Sequence, residues 1–245
     1  MPISCPNCDA KLTGRFCANC GQDCGNLRFD TRFMLAEGVR QIAGWDGALV
    51  RTMTGLWSNP GGLARDYVEG RRRSYLNPAR FCLVSLALWL LVVRLLGLDL
   101  FDGIGVEFST NEAGGSVETD ELRAFVERHF DWLLLLTFPV RAWWIKVAFR
   151  RSRASVAECL VQVLYVAGFG FLVGILLSVA DRAGASHGLK LRPLIGVFWS
   201  IRAARVYFSA SWTAATLKML WVTFAHMAVT VLIMGAIAVP WVLWR

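Results

Sequence analysis

The sequence has 245 residues, of which 56% are hydrophobic and 18% charged, with a formal net charge of +8 and a mean hydropathy of +0.47. This composition excludes a soluble globular domain, which needs more charge on its surface, and it excludes a disordered chain. The apolar residues also lie in long runs. We therefore expect an all-α integral membrane helical bundle, preceded by a small N-terminal four-cysteine zinc ribbon.

Residues 1–26 are predicted to form that ribbon. Four cysteines occur as two Cys-x2-Cys pairs with eight residues between them. Each pair places two thiolates on one tight turn, and two such turns close a tetrahedral site. The predicted ligands of a structural Zn2+ are Cys5, Cys8, Cys17 and Cys20. Four thiolates leave no position for a catalytic water, so metal catalysis is not expected.

Two alternatives to zinc are an iron centre and a pair of disulfides. Disulfides require an exported N-terminus. The residues before Cys5 leave no room for a signal peptide, so we expect the ribbon in the reducing cytosol, where zinc is favoured. Cys24 falls just outside the pattern, and we interpret it as a spare surface thiol rather than an alternate ligand.

Residues 27–80 are predicted to form amphipathic interfacial helices. Apolar residues recur at helical spacing from Phe33 to Trp57, with a possible break near Gly44, and Asn59-Pro60-Gly61-Gly62 ends the pattern. A short element over 63–68 then leads to the Arg71–Arg73 cluster. Two interpretations stay open: the apolar face lies on an anionic inner leaflet, or it packs on the protein's own helices.

Residues 81–245 are predicted to form a transmembrane bundle of about five helices. The candidate spans are 81–98, 132–149, 156–180, 194–208 and 217–244. The fourth is the weakest, and without it the count is four and the C-terminus changes side. Basic clusters flank the spans at 71–73 and 150–153, whereas loop 99–131 is acidic, so we expect that loop outside and the N-terminus in the cytoplasm. Gly170 and Gly174 predict a close-packing face.

Several short motifs together resemble one protein family. They are Phe16-Cys17-x2-Cys20-Gly21-Gln22, Arg51-Thr52, Pro60-Gly61, Gly70-Arg71-Arg72, Tyr75, Pro78 and Arg205-Val206-Tyr207. The pattern is similar to a bacterial family of zinc-ribbon multi-pass membrane proteins of unknown function, over nearly the whole chain. The resemblance implies a fold and a membrane location but no activity. Two histidines common on one membrane helix of that family are replaced here by Cys159 and Tyr165.

Ionisable residues within the spans are candidates for function, because charge is costly in a bilayer. Glu158, Gln162 and Tyr165 share one face of the third span, and Arg141 on the second is expected to reach it. The face either holds a structural Arg141–Glu158 ion pair or lines a polar cavity for a substrate headgroup. We favour the structural pair. His226 is expected to be a packed histidine, and Arg94 to extend toward the membrane surface.

The predicted function is that of a scaffold or adaptor in a bacterial cytoplasmic (inner) membrane. Its zinc ribbon would dock a protein partner, and its bundle would contact membrane lipids. The alternative is a carrier of a lipid or small amphiphile, and a third possibility is an intramembrane enzyme. No complete catalytic motif is present, so we do not expect an enzyme. The basic charge suits the inner membrane surface, and no nucleic acid is expected as a partner.

Overall fold

All regular secondary structure in the described part of the chain is helical. The computed structural model describes residues 4–25, 47–98, 135–184 and 188–243. The helices are α1 (Ala48–Ser58), α2 (Pro60–Glu69), α3 (Pro78–Leu96), α4 (135–148), α5 (Val156–Arg182), α6 (Gly188–Tyr207) and α7 (Trp212–Leu243), with a 3-10 turn at Arg150–Ser152. The predicted all-α class is confirmed. The predicted acidic external loop and the break near Gly44 lie outside the described residues.

Local signals in the sequence set the ends of the first three helices. Asn59 caps α2 by accepting from Gly62 N, and Pro60 occupies the first helical position. Gly70 ends α2 in the left-handed conformation at φ 117°. Asn77 caps α3 by accepting from two backbone N–H groups, again followed by a proline. Helices α2 and α3 are therefore separated by a defined loop, Gly70–Asn77, which we call the 70–77 loop.

The core forms where α5 packs along α3 and α6, with α2 against α6. Helix α1 buries Ala48, Thr52 and Leu56 and leaves Val50 and Trp57 exposed. The described part of the amphipathic segment thus packs its inner face on the protein's own helices. Its exposed apolar residues remain suited to a membrane surface.

Side chains of α6 and α2 donate hydrogen bonds to the C-terminal carbonyls of α1 and α6, respectively. Trp199 and Arg202 of α6 donate to Leu56 O (3.0 Å) and Ser58 O (2.6 Å) at the end of α1. Arg65 of α2 donates to Val206 O (2.6 Å) and to Tyr207 O at the end of α6. Cationic donors at helix C-termini satisfy carbonyls that have no partner within the helix and complement the helix dipole. These bonds account for Arg202 of α6, whereas Arg192 and Arg205 of the same helix lie over the rings of Trp89 and Trp212.

Three described helices are long and apolar enough to cross a membrane: Pro78–Leu96, Val156–Arg182 and Trp212–Ile233. They coincide with the first, third and last of the predicted spans. The second falls on α4, which is described only over 135–148, and the fourth falls on the more basic α6. The count of five spans therefore stays a prediction.

The predicted packing face of α5 is wrong in one of its two glycines. A Cβ on Gly174 would lie 3.1 Å from both Trp89 Nε1 and Arg192 Nε, so this glycine does permit close packing. A Cβ on Gly170 would meet nothing within 4 Å. The second close approach is at Gly168, where a Cβ would lie 2.7 Å from Phe81. The four-residue spacing predicted Gly170 as the second packing position, but α3 crosses α5 on the side of Gly168.

Candidate metal centre and its contact with the helical body

The two cysteine turns of the head are structural copies, offset by twelve residues. In the first, Asp9 N donates to Cys5 O (2.8 Å); in the second, Gly21 N donates to Cys17 O (2.8 Å). Asp9 and Gly21 both have left-handed φ, 58° and 73°. Isolated bridges Ser4↔Lys11 and Phe16↔Asp23 close the two copies in the same way. The two copies thus have the same backbone conformation, and each presents one pair of thiols.

The four predicted ligands converge on one point. Their sulfur atoms all lie within 4.8 Å of one another. Cys5 Sγ lies 3.6 Å from Cys20 Sγ, and Cys8 Sγ lies 3.6 Å from Cys17 Sγ. In a tetrahedral thiolate site with metal–sulfur bonds of about 2.3 Å, the sulfurs are about 3.8 Å apart. The donor set and its spacing therefore fit a four-coordinate metal ion, and all seven cysteines are free thiols in the structure.

Backbone N–H groups stabilise the thiolate form of Cys17. The N–H groups of Cys20 and Asn19 point at Cys17 Sγ and lower the pKa of that thiol to about 6. Burial instead raises the pKa of Cys20 to about 12. A metal ion must displace the proton from Cys20, so metal binding weakens as the pH falls.

Cys24 is not the surface thiol that the sequence suggested. Its side chain is only 2% exposed, and its Sγ lies 3.9 Å from Cys5 Sγ and 3.6 Å from Gln22 O. It does not belong to the converging group of four sulfurs. Cys24 lies in the small interior of the head because its N–H donates to Arg15 O (2.8 Å), which extends the backbone pairing of the second copy.

The head rests on the 70–77 loop through two side chains. Asn7, between the first two cysteines, accepts with Oδ1 from Ser74 N (3.1 Å) and Ser74 Oγ (2.8 Å). Gln22, after the second pair, donates Nε2 to Gly70 O (2.7 Å) and accepts at Oε1 from Arg73 N (3.2 Å). Gln22 is 5% exposed. The contact is therefore a specific polar interface in which two side chains of the head form hydrogen bonds mainly with main-chain atoms of the loop.

The same loop is bonded to the bundle on its other side. Arg51 Nε donates to Ser74 O (2.9 Å), and Leu76 N donates to Thr52 Oγ1 (3.0 Å), both from α1. Tyr165 of α5 donates its hydroxyl to Leu76 O (2.6 Å). The 70–77 loop is thus a junction between the head, α1, α5 and the start of α3.

The predicted Arg141–Glu158 ion pair is not formed. Arg141 donates to Ser200 Oγ (3.3 Å) on α6, and Glu158 accepts from the Tyr207 hydroxyl (3.5 Å). Helical periodicity correctly indicates which residues share a face of one helix, but it does not say which neighbour that face meets. Arg141 meets α6 here.

The four residues of the predicted intramembrane site are distributed over different surroundings. Gln162 and Tyr165 are buried, at 2% and 0% exposure. Glu158 lines a cavity of about 250 Å³ together with Arg65, Glu69 and Tyr207. Arg141, Gln162 and Tyr165 do not line that cavity. A polar cavity beside Glu158 exists, but with different walls from those predicted.

Four residues with structural roles were missed from the sequence. Asn7 and Gln22 hold the head, Arg65 ties α2 to α6, and Arg192 stacks on Trp89 with its Cζ 4.0 Å from the ring centroid. Gln22 had a signal, since it ends the Cys-Gly-Gln motif. The others are common residue types with no local pattern.

Across the described ranges the regular structure is helical, three helices can cross a membrane, and a cysteine cluster can hold a metal ion. These features define a membrane protein with a thiol-rich head. A family model described as "Protein of unknown function (DUF3667)" matches residues 46–90, which contain α1, α2, the 70–77 loop and the first part of α3. The resemblance to a family of unknown function is confirmed by this match. No curated protein and no solved structure matches the chain.

Proposed function

We propose that the protein is a scaffold or adaptor of a bacterial cytoplasmic membrane, with a zinc ribbon that docks a protein partner. Zinc is the metal that best suits four thiolates in tetrahedral array with no open position. The head has little else to hold it together, since its buried core consists of Cys5, Cys17 and Cys24. Binding of the metal would supply the folding free energy of the head.

The asymmetry of the two cysteine copies supports the docking role. The first copy contacts the body through Asn7 and the second through Gln22, but Asn19, the counterpart of Asn7 in the second copy, is exposed. Phe16 lies beside the second copy and is 59% exposed, with Arg15 Cζ 5.4 Å from its ring centroid. An exposed aromatic residue on a rigid frame, flanked by a guanidinium, has the composition of a protein-binding surface.

The experiment that tests this function is co-purification of the full-length chain in mild detergent, with metal analysis of the same samples. We expect one zinc per chain and a stoichiometric protein partner. Phe16→Ser should lose the partner and keep the zinc. Thr13→Ala, which alters an exposed residue between the two copies, is the matched control and should keep both. A partner that is retained equally by Phe16→Ser, or the absence of any partner, would contradict the docking role.

A carrier of a lipid or small amphiphile is the second candidate, and the cavity beside Glu158 favours it. The cavity has about 250 Å³, with Glu69, Arg65 and Tyr207 as polar walls and Phe208 as an apolar wall. A mixed lining of this kind suits a molecule with a polar headgroup and an apolar part. A stoichiometric lipid in the purified protein, lost in Glu158→Gln, would favour the carrier over the scaffold.

The proposed orientation places the head in the cytoplasm, because the arginines at 71–73 and 150–153 flank apolar helices. Cysteine variants at Ser152 and Ser116 test it. A membrane-impermeant thiol reagent added to intact cells should label the Ser116 variant and leave the Ser152 variant unlabelled. The reverse pattern would invert the topology.

A further inference from the structure

We propose that the ribbon is a metal-dependent latch on the 70–77 loop, so that metal occupancy of the head controls the order of the junction at the start of α3. This inference rests on the metal binding proposed above and adds a consequence for the membrane bundle. It concerns two positioning residues, Asn7 and Gln22, and the backbone groups that they hold.

Both latch residues take their positions from the metal site. Asn7 lies between Cys5 and Cys8, so the two ligands fix the backbone on both sides of it. The carbonyl of Gln22 accepts from Cys17 N (2.9 Å), which makes Gln22 part of the second cysteine turn. The buried core of the head consists of three cysteines, with Ala10 and Leu12 only partly buried against it, which is too little to hold these turns without the metal. Loss of the ion would therefore release both side chains together.

The latch makes four hydrogen bonds, and each reaches a loop residue between Gly70 and Ser74. Two backbone donors, Arg73 N and Ser74 N, depend on it directly. The interface is half-buried to buried, and Gln22 is almost fully enclosed. Buried backbone groups that lose their partners carry a free-energy penalty, so the loop must rearrange or admit water when the head unfolds.

The loop passes this change to the bundle. Ser74 carries the latch bond on its N–H and the bond from Arg51 on its carbonyl, within a single residue. Two residues later, Leu76 is held by Thr52 and Tyr165. Asn77 then caps α3. Because binding free energies are reciprocal, a loop that is ordered by the metal-loaded head must in turn raise the affinity of the head for its metal.

The competing explanation is that α1 and α5 hold the loop by themselves and the head merely rests on it. Hydrogen exchange separates the two explanations, because the loop contains reporters of both kinds. The amides of Arg73 and Ser74 donate to the head, whereas the amide of Leu76 donates to Thr52 of α1. A latch requires all three amides to respond to the metal.

The experiment measures residue-resolved hydrogen exchange of the full-length chain in detergent, with zinc bound, after chelation, and after zinc is added back. We expect chelation to raise exchange at Arg73 and Ser74 by about tenfold or more, to raise it measurably at Leu76, and zinc to restore protection. An unchanged rate at Leu76 would show that the loop is held by the bundle alone and would overturn the proposal.

Variants separate failure of the latch from failure of the metal site. Asn7→Ala combined with Gln22→Ala should keep one zinc per chain, show fast loop exchange at all times and no longer respond to the chelator. Asn19→Ala changes the equivalent residue of the second copy and should behave as the wild type. An equal effect of Asn19→Ala would overturn the latch while the metal site stands. A wild-type chain without zinc would overturn both.

Discussion

Replacing Gly61 by alanine tests how closely α2 approaches α6. A Cβ at this position would overlap Ala203 O and lie 2.8 Å from both Tyr207 N and Val206 Cβ. Comfortable contacts between such atoms are about 3.5–4.0 Å. The atoms in the way belong mostly to backbone, so they cannot rotate aside. The two helices must separate by about 1 Å to restore contact distance.

That separation would also break the bonds from Arg65 to the end of α6. The bond to Val206 O is 2.6 Å long, and 1 Å of movement takes it beyond the range of a hydrogen bond. Overpacking costs about 1–3 kcal/mol and the lost charged hydrogen bond about 1.5–3 kcal/mol. Alanine regains about 1 kcal/mol of helix propensity. The net expectation is about 1.5–5 kcal/mol of destabilisation, or a drop in Tm of about 3–20 °C.

Thermal unfolding in detergent measures this effect, with Gly196→Ala as the matched control. Gly196 lies in α6, and a Cβ there would meet nothing within 4 Å, so this variant should be as stable as the wild type or more stable. A Tm for Gly61→Ala within the error of the control would refute the close approach of α2 and α6.

Three further predictions follow from individual contacts. Cys24→Ala should keep the full metal content, measured by mass spectrometry, because its sulfur lies outside the converging group; loss of metal would make it a ligand. Tyr165→Phe should cost about 1–2 kcal/mol in thermal stability, because Leu76 O loses a buried donor, whereas Tyr207→Phe, with its 3.5 Å bond, should cost less. Arg141→Met and Glu158→Gln should have additive effects on stability, with a coupling free energy below about 0.5 kcal/mol in a double-mutant cycle. A larger coupling would show that the two side chains do form an ion pair.

The convergence of the four cysteines could be predicted because the geometry of the cluster is local in sequence. Two Cys-x2-Cys turns each carry their own geometry, and closing them needs only a short link. The end of α1 was also predicted, because Asn59-Pro60-Gly61-Gly62 closes the amphipathic pattern. The Asn-Pro pairs at 59–60 and 77–78 also begin α2 and α3 within one turn, so these helices start three residues before the predicted positions 63 and 81. Sequence signals that act within one turn do not depend on how the rest of the chain folds.

The contact between head and body could not be predicted, because its partners are far apart in the chain and chemically ordinary. Gln22 and Gly70 are separated by 48 residues, and Asn7 and Ser74 by 67. The intramembrane site failed for a related reason. Glu158, Gln162 and Tyr165 do lie on one helix, but the helix that Arg141 contacts is α6, and nothing in the spacing of charged residues specifies that neighbour.

Three of the four bonds between the head and the loop end on main-chain atoms of the loop, and only the Ser74 hydroxyl is a side-chain partner. Recognition of this kind depends little on most loop side chains. Three loop positions are constrained nonetheless: Gly70 by its φ of 117°, Arg72 by its burial, and Arg73 because its Cζ would lie 3.9 Å from a Cβ on Gly21 of the head. Selection on docking would then fall on Asn7 and Gln22 together with these loop positions, and Arg71, which is exposed, would be free to follow the surroundings of the protein.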